Sequence, residues 1–222
     1  MAAPVKPRRG YHSPHRQSQA AATRGAILEA AQRLFEQQGY PATTMEAIAS
    51  EGGVALKTVY IAFSTKSGLL RALWDLLLKG DQNEAAVAAR PWYLEVLQEP
   101  DPERQLRLNA RNSRVVKLRI AGILQVIRSA AALDPDLESL WNLIQTDFYA
   151  NQRAIVESIH AKQALRTGLG VVRATDILWT LNHPDLWLLL VGERGWTAEQ
   201  FEQWFADTIC KQLLEPLAPC AI

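Results

Sequence analysis

The sequence predicts an all-α protein, and three observations carry that prediction. Apolar residues recur at the i, i+3, i+4 spacing of amphipathic helices from Ile27 nearly to the C-terminus, and no segment alternates with the period of two that a half-buried strand needs. The pairs Asp101-Pro102 and Asp134-Pro135 have the order of a helix N-cap followed by the first helical residue. The stretch Thr43–Lys66, TTMEAIASEGGVALKTVYIAFSTK, sets two short helical patterns around a glycine pair and opens a third.

Composition bounds the rest. The 222 residues are 48% hydrophobic and 21% charged, ordinary for a globular chain and enough for one large or two small domains. The net charge of +1 hides an asymmetry: up to Gly80 there are ten Lys and Arg against five Asp and Glu, and beyond it fourteen against eighteen. A basic module that faces nucleic acid, followed by an acidic partner domain, fits that division. The N-terminal residues lack the apolar run of a secretory signal, and nowhere do 18 apolar residues follow one another, so the expected location is cytoplasmic.

Residues 1–22 carry Lys6, Arg8, Arg9 and Arg16, three prolines and no acid, and read as a disordered basic arm. Residues 23–80 form the first domain. Ile27, Ala30, Ala31, Leu34 and Phe35 mark a scaffold helix over Thr23–Gln38, stopped by Gly39 and kept from resuming by Pro41. Thr43 followed by Glu46 three residues later suits a capping box, which starts a helix of about two turns that ends at Gly52 and Gly53. Val59 and Phe63, four apart, face a core from the next helix, while Leu56, Lys57, Thr58, Tyr60 and Ile61 point mostly elsewhere. A further helix runs from Ser64–Lys66 to Gly80 through Leu69, Leu70, Leu73 and Trp74.

Two short helices about a glycine corner are a helix-turn-helix, whose second helix lies in the major groove of double-stranded DNA. Leu56, Lys57 and Thr58 are then the base-edge candidates, and Tyr60 and Lys66 suit phosphate oxygens. The residues Ile48, Ala49, Gly53, Val54, Thr58, Val59, Tyr60, Phe63, Lys66, Leu69 and Leu70 resemble the DNA-binding signature of the TetR family of tetracycline-repressor-like regulators. The resemblance covers about fifty residues, Thr23 to Leu73, and departs from the family at Ala55, Ile61 and Ala62. It implies that Tyr60 and Lys66 hold phosphates, that Thr44 touches the DNA backbone, and that Lys57 and Thr58 lie in the groove.

Residues 81–222 form a helical regulatory and dimerisation domain. Helical segments begin at Asp101-Pro102 and Asp134-Pro135, break at Gly168 and Gly170, meet or kink at His183-Pro184, and end with a helix capped by Thr197. The last two helices are rich in aromatics and suggest a homodimer interface, with burial inside one subunit as the alternative; by resemblance they build a four-helix bundle, and twofold symmetry makes the operator a palindrome. A small, mostly apolar ligand is expected between the helices, and Trp92, Trp141, Tyr149, Trp179 and Trp187 are candidate liners. The cluster Arg111, Arg114, Lys117 and Arg119 reads as a solvated helix face, with anion binding as the alternative. Cys210 and Cys220 have no zinc-ligand spacing, His160 and His183 stand alone, and no nucleophile or phosphate-loop motif occurs, so neither catalysis nor a metal or other cofactor is expected. The whole reads as a ligand-released repressor; the alternative is an all-α small-molecule-binding protein or enzyme whose helix-turn-helix is only structural.

Overall fold

The computed structural model describes residues 14–80 and 86–214, and all its regular elements among them are helical. The chain divides into two units between Ala72 and Leu73. The first holds α1 (Pro14–Ala42), α2 (Met45–Glu51), α3 (Leu56–Phe63) and the beginning of α4 (Lys66–Lys79), which crosses the division.

The first helix starts earlier than the sequence suggests. Residues 14–22, read as arm, are helical. Pro14 is tolerated in a first helical turn, and Ala20-Ala21-Ala22 are strong helix formers that carry the segment into the scaffold helix. The rest of the predicted arm, residues 1–13, lies outside the described residues. At the other end Gly39, with φ 77° and ψ 173°, interrupts α1 where the sequence places its stop. Behind α2 and α3 the core is Ile27, Ala31, Phe35, Ile48, Val59 and Leu69, all fully buried.

The second unit holds a 3-10 turn (Val87–Ala89), α5 (Pro91–Gln98), α6 (Pro102–Ala130), α7 (Pro135–Ala161), α8 (Val171–Leu181), α9 (Pro184–Trp187), a π-helical turn (Leu188–Glu193) and α10 (Ala198–Leu213). Both Asp-Pro starts are as expected: Asp101 accepts from Arg104 N at 2.7 Å and Asp134 from Asp136 N at 3.0 Å. Thr197 and Gln200 close a reciprocal capping box at the start of α10. The break expected at His183-Pro184 separates α8 from α9.

The aromatic face of α10 lies against α6 inside the same chain. Phe201, Phe205, Ile209 and Leu213 are fully buried, and Trp187 from α9 meets Phe201 at 5.1 Å between ring centroids. The side chains that suggested a dimer interface therefore fill the protomer's own core. Periodicity identifies an apolar face without saying what covers it.

The basic cluster of α6 is not one solvated face. Arg114 pairs with Glu202 at 2.5 Å and with Glu199 at 3.4 Å, and Arg119 donates to Leu78 O at 3.2 Å. Lys117 is buried at 4% exposure. Its ammonium donates to Asn182 Oδ1, whose own amide donates to Gln152 Oε1 at 3.1 Å, and it stands 5.4 and 5.6 Å from the ring centroids of Phe201 and Phe205. The reason is angular: at 100° per residue, Lys117 lies about 120° around the helix from Arg111 and shares a stripe with Ile120, Leu124 and Ile127, which are buried.

Burial pushes the Lys117 amine from its ordinary 10.5 down to about 7. Between those values unfolding takes up a proton, so rising pH opposes unfolding. The stability of the wild-type chain relative to Lys117→Met is expected to increase from pH 7 to pH 9, read from urea unfolding at each pH. A pH-independent difference would show that the amine keeps its ordinary affinity for protons.

Candidate nucleic-acid interface

The corner between α1 and α2 is built by two adjacent threonines with different tasks. Thr44, and not Thr43, is the N-cap of α2: its hydroxyl accepts from Ala47 N at 3.1 Å. Thr43 is fully buried, and its hydroxyl donates to Gly39 O at 2.8 Å. Gly53 then turns the chain with φ 64°, a left-handed conformation that glycine adopts at little cost. Ala55 stands at the N-cap of α3 and makes no side-chain capping bond, as its chemistry requires.

On α3, Val59 and Phe63 are the buried side. Lys57 and Tyr60 are exposed, and Leu56 and Thr58 are partly covered. Thr44, at the start of α2, is exposed. Five of the six predicted contacts thus reach the surface, Leu56 and Thr58 in part.

The sixth, Lys66, is turned inward. Its Nζ donates to Tyr40 O at 2.8 Å and to Thr43 O at 2.9 Å, and lies 4.1 Å from the centroid of the Tyr40 ring. These bonds tie the first residue of α4 to the broken end of α1. Across the same unit, the Arg24 guanidinium donates to Ala62 O at 3.1 Å and covers the Phe63 ring at 4.2 Å. The corner from α3 into α4 is equally tight: Thr65 caps Gly68 N at 2.9 Å, and a Cβ on Gly68 would lie 2.7 Å from Phe63 O. Only glycine fits there without a shift of backbone.

The sequence reading points one further residue outward without counting it among the DNA contacts. Ile61 is 75% exposed and follows Lys57 by four, on the side of α3 opposite its buried pair. The signal was present in that spacing: a large apolar side chain one turn beyond Lys57 has no core to enter.

An eight-residue helix presented outward on a glycine corner, within an all-helical chain, is the architecture of a helix-turn-helix protein. The comparisons point to a family for this segment. Residues 27–73 match the profile described as bacterial regulatory proteins, tetR family. The transcriptional regulator TtgR of Pseudomonas putida is 30% identical over 122 residues, 54% of this chain and 55% of that one. The chain spans between 27% and 55% of the length of the first curated relatives it matches. Among solved structures, SmeT in complex with triclosan superposes with a TM-score of 0.69 at 20% identity, covering 90% of this chain and 96% of that one. NalD of Pseudomonas aeruginosa, described as the secondary repressor of the MexAB-OprM multidrug efflux pump, gives 0.68 at 20% identity, covering 90% and 100%. These two likenesses show the fold.

Lys66→Met is expected to lower the unfolding free energy by about 2 kcal/mol, because hydrogen bonds from a charged donor to two carbonyls are lost. Urea unfolding measures it. Unchanged stability with weakened DNA binding would return Lys66 to the phosphate-contact role.

Proposed function

We propose that this chain is a DNA-binding transcriptional regulator, a homodimeric repressor released from a palindromic operator by a small, mostly apolar ligand. The observation that carries the reading is the two-sided α3: Val59 and Phe63 are buried, while Lys57, Tyr60 and Ile61 are exposed on a helix held from behind. In a major groove Lys57 donates to guanine O6 and N7, Leu56 and Thr58 stand at the N-terminal base edges, and the Tyr60 hydroxyl and Thr44 position the unit on phosphates. Ile61 adds an apolar surface suited to a thymine methyl group. Lys66 acts behind this face, by fixing the corner.

Supporting facts come from the relatives. NalD's description names it a repressor, and SmeT is described with triclosan bound. The second unit of this chain supplies many partly buried aromatics for a comparable ligand, among them Trp92, Trp141, Tyr149 and Trp179, whereas Trp187 is buried at 4%. A second copy would use the outward sides of α8 and α10, where Val172 is 65% exposed. Among the described residues no helix is long and apolar enough to cross a membrane and no cluster of metal-binding side chains occurs, and we assign no catalytic step. The place of action follows the DNA, in the cytoplasm. Linkage makes the coupling reciprocal: operator weakens ligand by the factor that ligand weakens operator.

The test is binding of the full chain to DNA from immediately upstream of its own coding region, and to a random-sequence pool, across a series of salt concentrations. Affinity is expected to fall steeply with salt as phosphate contacts release counterions. Tyr60→Phe should weaken binding to all sequences alike, whereas Lys57→Ala should relax preference at one base pair by about 1–3 kcal/mol. Replacing thymidine by deoxyuridine at a single operator position should weaken the wild type and leave Ile61→Ala unchanged. Absence of salt-dependent binding to both DNA sets would overturn the reading in favour of a binding protein with a purely structural helix-turn-helix.

A further inference from the structure

Lys117 sits where α6, α7, α8 and α10 converge, and its neighbours supply no negative charge. Asn182 gives it one amide oxygen, and Phe201 and Phe205 give it two ring faces. The carboxylates on the packed helices are held elsewhere. Asp185 pairs with Arg128 at 2.5 Å, Glu202 with Arg114 at 2.5 Å, and Asp176 accepts from the Tyr149 hydroxyl at 3.1 Å. His183, next to Asn182, is itself held below its ordinary proton affinity, first by burial, and Arg128 and Lys117 add to that while Asp185 opposes it.

The polar imbalance extends beyond the lysine. Trp179 lies one turn before His183 on α8, its ring 4.9 Å from the imidazole and 6.4 Å from Phe148, and its indole N–H is buried with no acceptor. Lys117, Asn182 and Gln152 form a chain of donors that runs away from the lysine. What this interior lacks is an acceptor, and above all an anionic one. A buried cation without an opposite charge costs several kcal/mol in general, and a buried N–H without an acceptor adds to that.

One side of this centre is closed by weak structure. The segment after Asn182 is a single helical turn, α9, followed by the π-helical turn Leu188–Glu193, a wide and rarely used geometry that occurs often at functional sites. The α9 turn packs on α6, and Arg128–Asp185 is an exposed ion pair between the two. Opening here requires the loss of one surface pair, a four-residue helix and the contact of the buried Trp187 with Phe201.

We propose that the centre around Lys117 receives the carboxylate of a small amphipathic ligand, with the apolar body of that ligand among Phe148, Trp179, Phe201 and Phe205. The carboxylate pairs with the Lys117 ammonium and accepts a hydrogen bond from a buried N–H, and the aromatic rings exclude water from the pair. This assignment rests on the regulator reading and names its ligand class. Because the empty chain holds the Lys117 amine near pKa 7, a bound carboxylate draws a proton onto it, so binding above neutral pH takes up protons from buffer.

The experiment titrates the full chain with two matched pairs of probes, octanoate against octanamide and 2-naphthoate against 2-naphthamide, by calorimetry at pH 8 in two buffers of different ionisation enthalpy. The wild type is expected to bind at least one acid ten or more times as tightly as its amide, with proton uptake that is visible as a buffer-dependent heat. Lys117→Met, which removes the amine and leaves an unbranched apolar side chain, is expected to lose the preference and the proton uptake while it remains folded by circular dichroism and binds the same DNA. Equal affinity for acid and amide, failure of both acids to bind, or an undiminished acid preference in Lys117→Met would each overturn the assignment. A chain that binds DNA with salt dependence but shows no acid preference loses this assignment alone; a chain that binds no DNA loses the regulator reading whatever it does with the acids.

Discussion

The first unit depends on an ammonium placed at a broken helix end. Gly39 interrupts α1, and an interrupted helix leaves carbonyls at its negative end that seek donors. Lys66 meets two of the carbonyls around that break, Tyr40 O and Thr43 O, with its stem leaving from the first residue of α4. A helix of eight residues is too short to persist by itself in water. What gives α3 a fixed orientation is therefore its surroundings: Val59 and Phe63 in the core, the Phe63–Gly68 backbone approach behind it, and the Lys66 bonds that fix the start of α4. The surface that α3 shows to solvent has its geometry set from inside.

That dependence explains which parts were legible in the sequence. Helix ends were readable because their causes are local: Asp101 and Asp134 cap within three residues, and Thr197 with Gln200 closes its box within one turn. The two threonines at 43 and 44 were confused because both satisfy the local rule. Thr43 has Glu46 at the right distance for a capping box, yet its hydroxyl is drawn back to Gly39 O, a carbonyl exposed only because α1 breaks there. Lys66 was read as a phosphate contact for the same kind of reason. Its residue type suits either an anion or a carbonyl cage, and the carbonyls that it meets in this structure lie 23 and 26 residues away.

In the second unit the readable and unreadable parts divide differently. The apolar stripe of α10 followed from spacing, but spacing cannot distinguish a neighbour in the same chain from a neighbour in a second one, and α6 is the occupant. The cluster on α6 was misread by proximity in sequence. Arg111, Arg114, Lys117 and Arg119 are close along the chain and diverge around the helix, so Arg114 reaches the carboxylates of α10 while Lys117 enters the core. Counting degrees at about 100° per residue sets Lys117 apart from Arg111 and Arg119 and puts it on the apolar stripe of Ile120, Leu124 and Ile127, and the buried charge could have been found that way.

A buried lysine does not explain itself through stability. Substitution of buried ions by apolar side chains of similar size is often neutral or stabilising, so packing alone gives no reason for an amine between Phe201 and Phe205. Its value lies in discrimination. In an apolar pocket one methylene more or less changes affinity only modestly, whereas a site with an unmet charged donor separates a ligand that carries the matching group from one of the same shape that does not. The low dielectric that makes Lys117 costly when empty makes its pairing with an anion strong when filled, and the same free energy is then available to favour the filled arrangement of the helices around it. An interior that is incomplete without its ligand has two states of unequal affinity for that ligand, and this inequality is what a binding event needs in order to shift a conformational equilibrium.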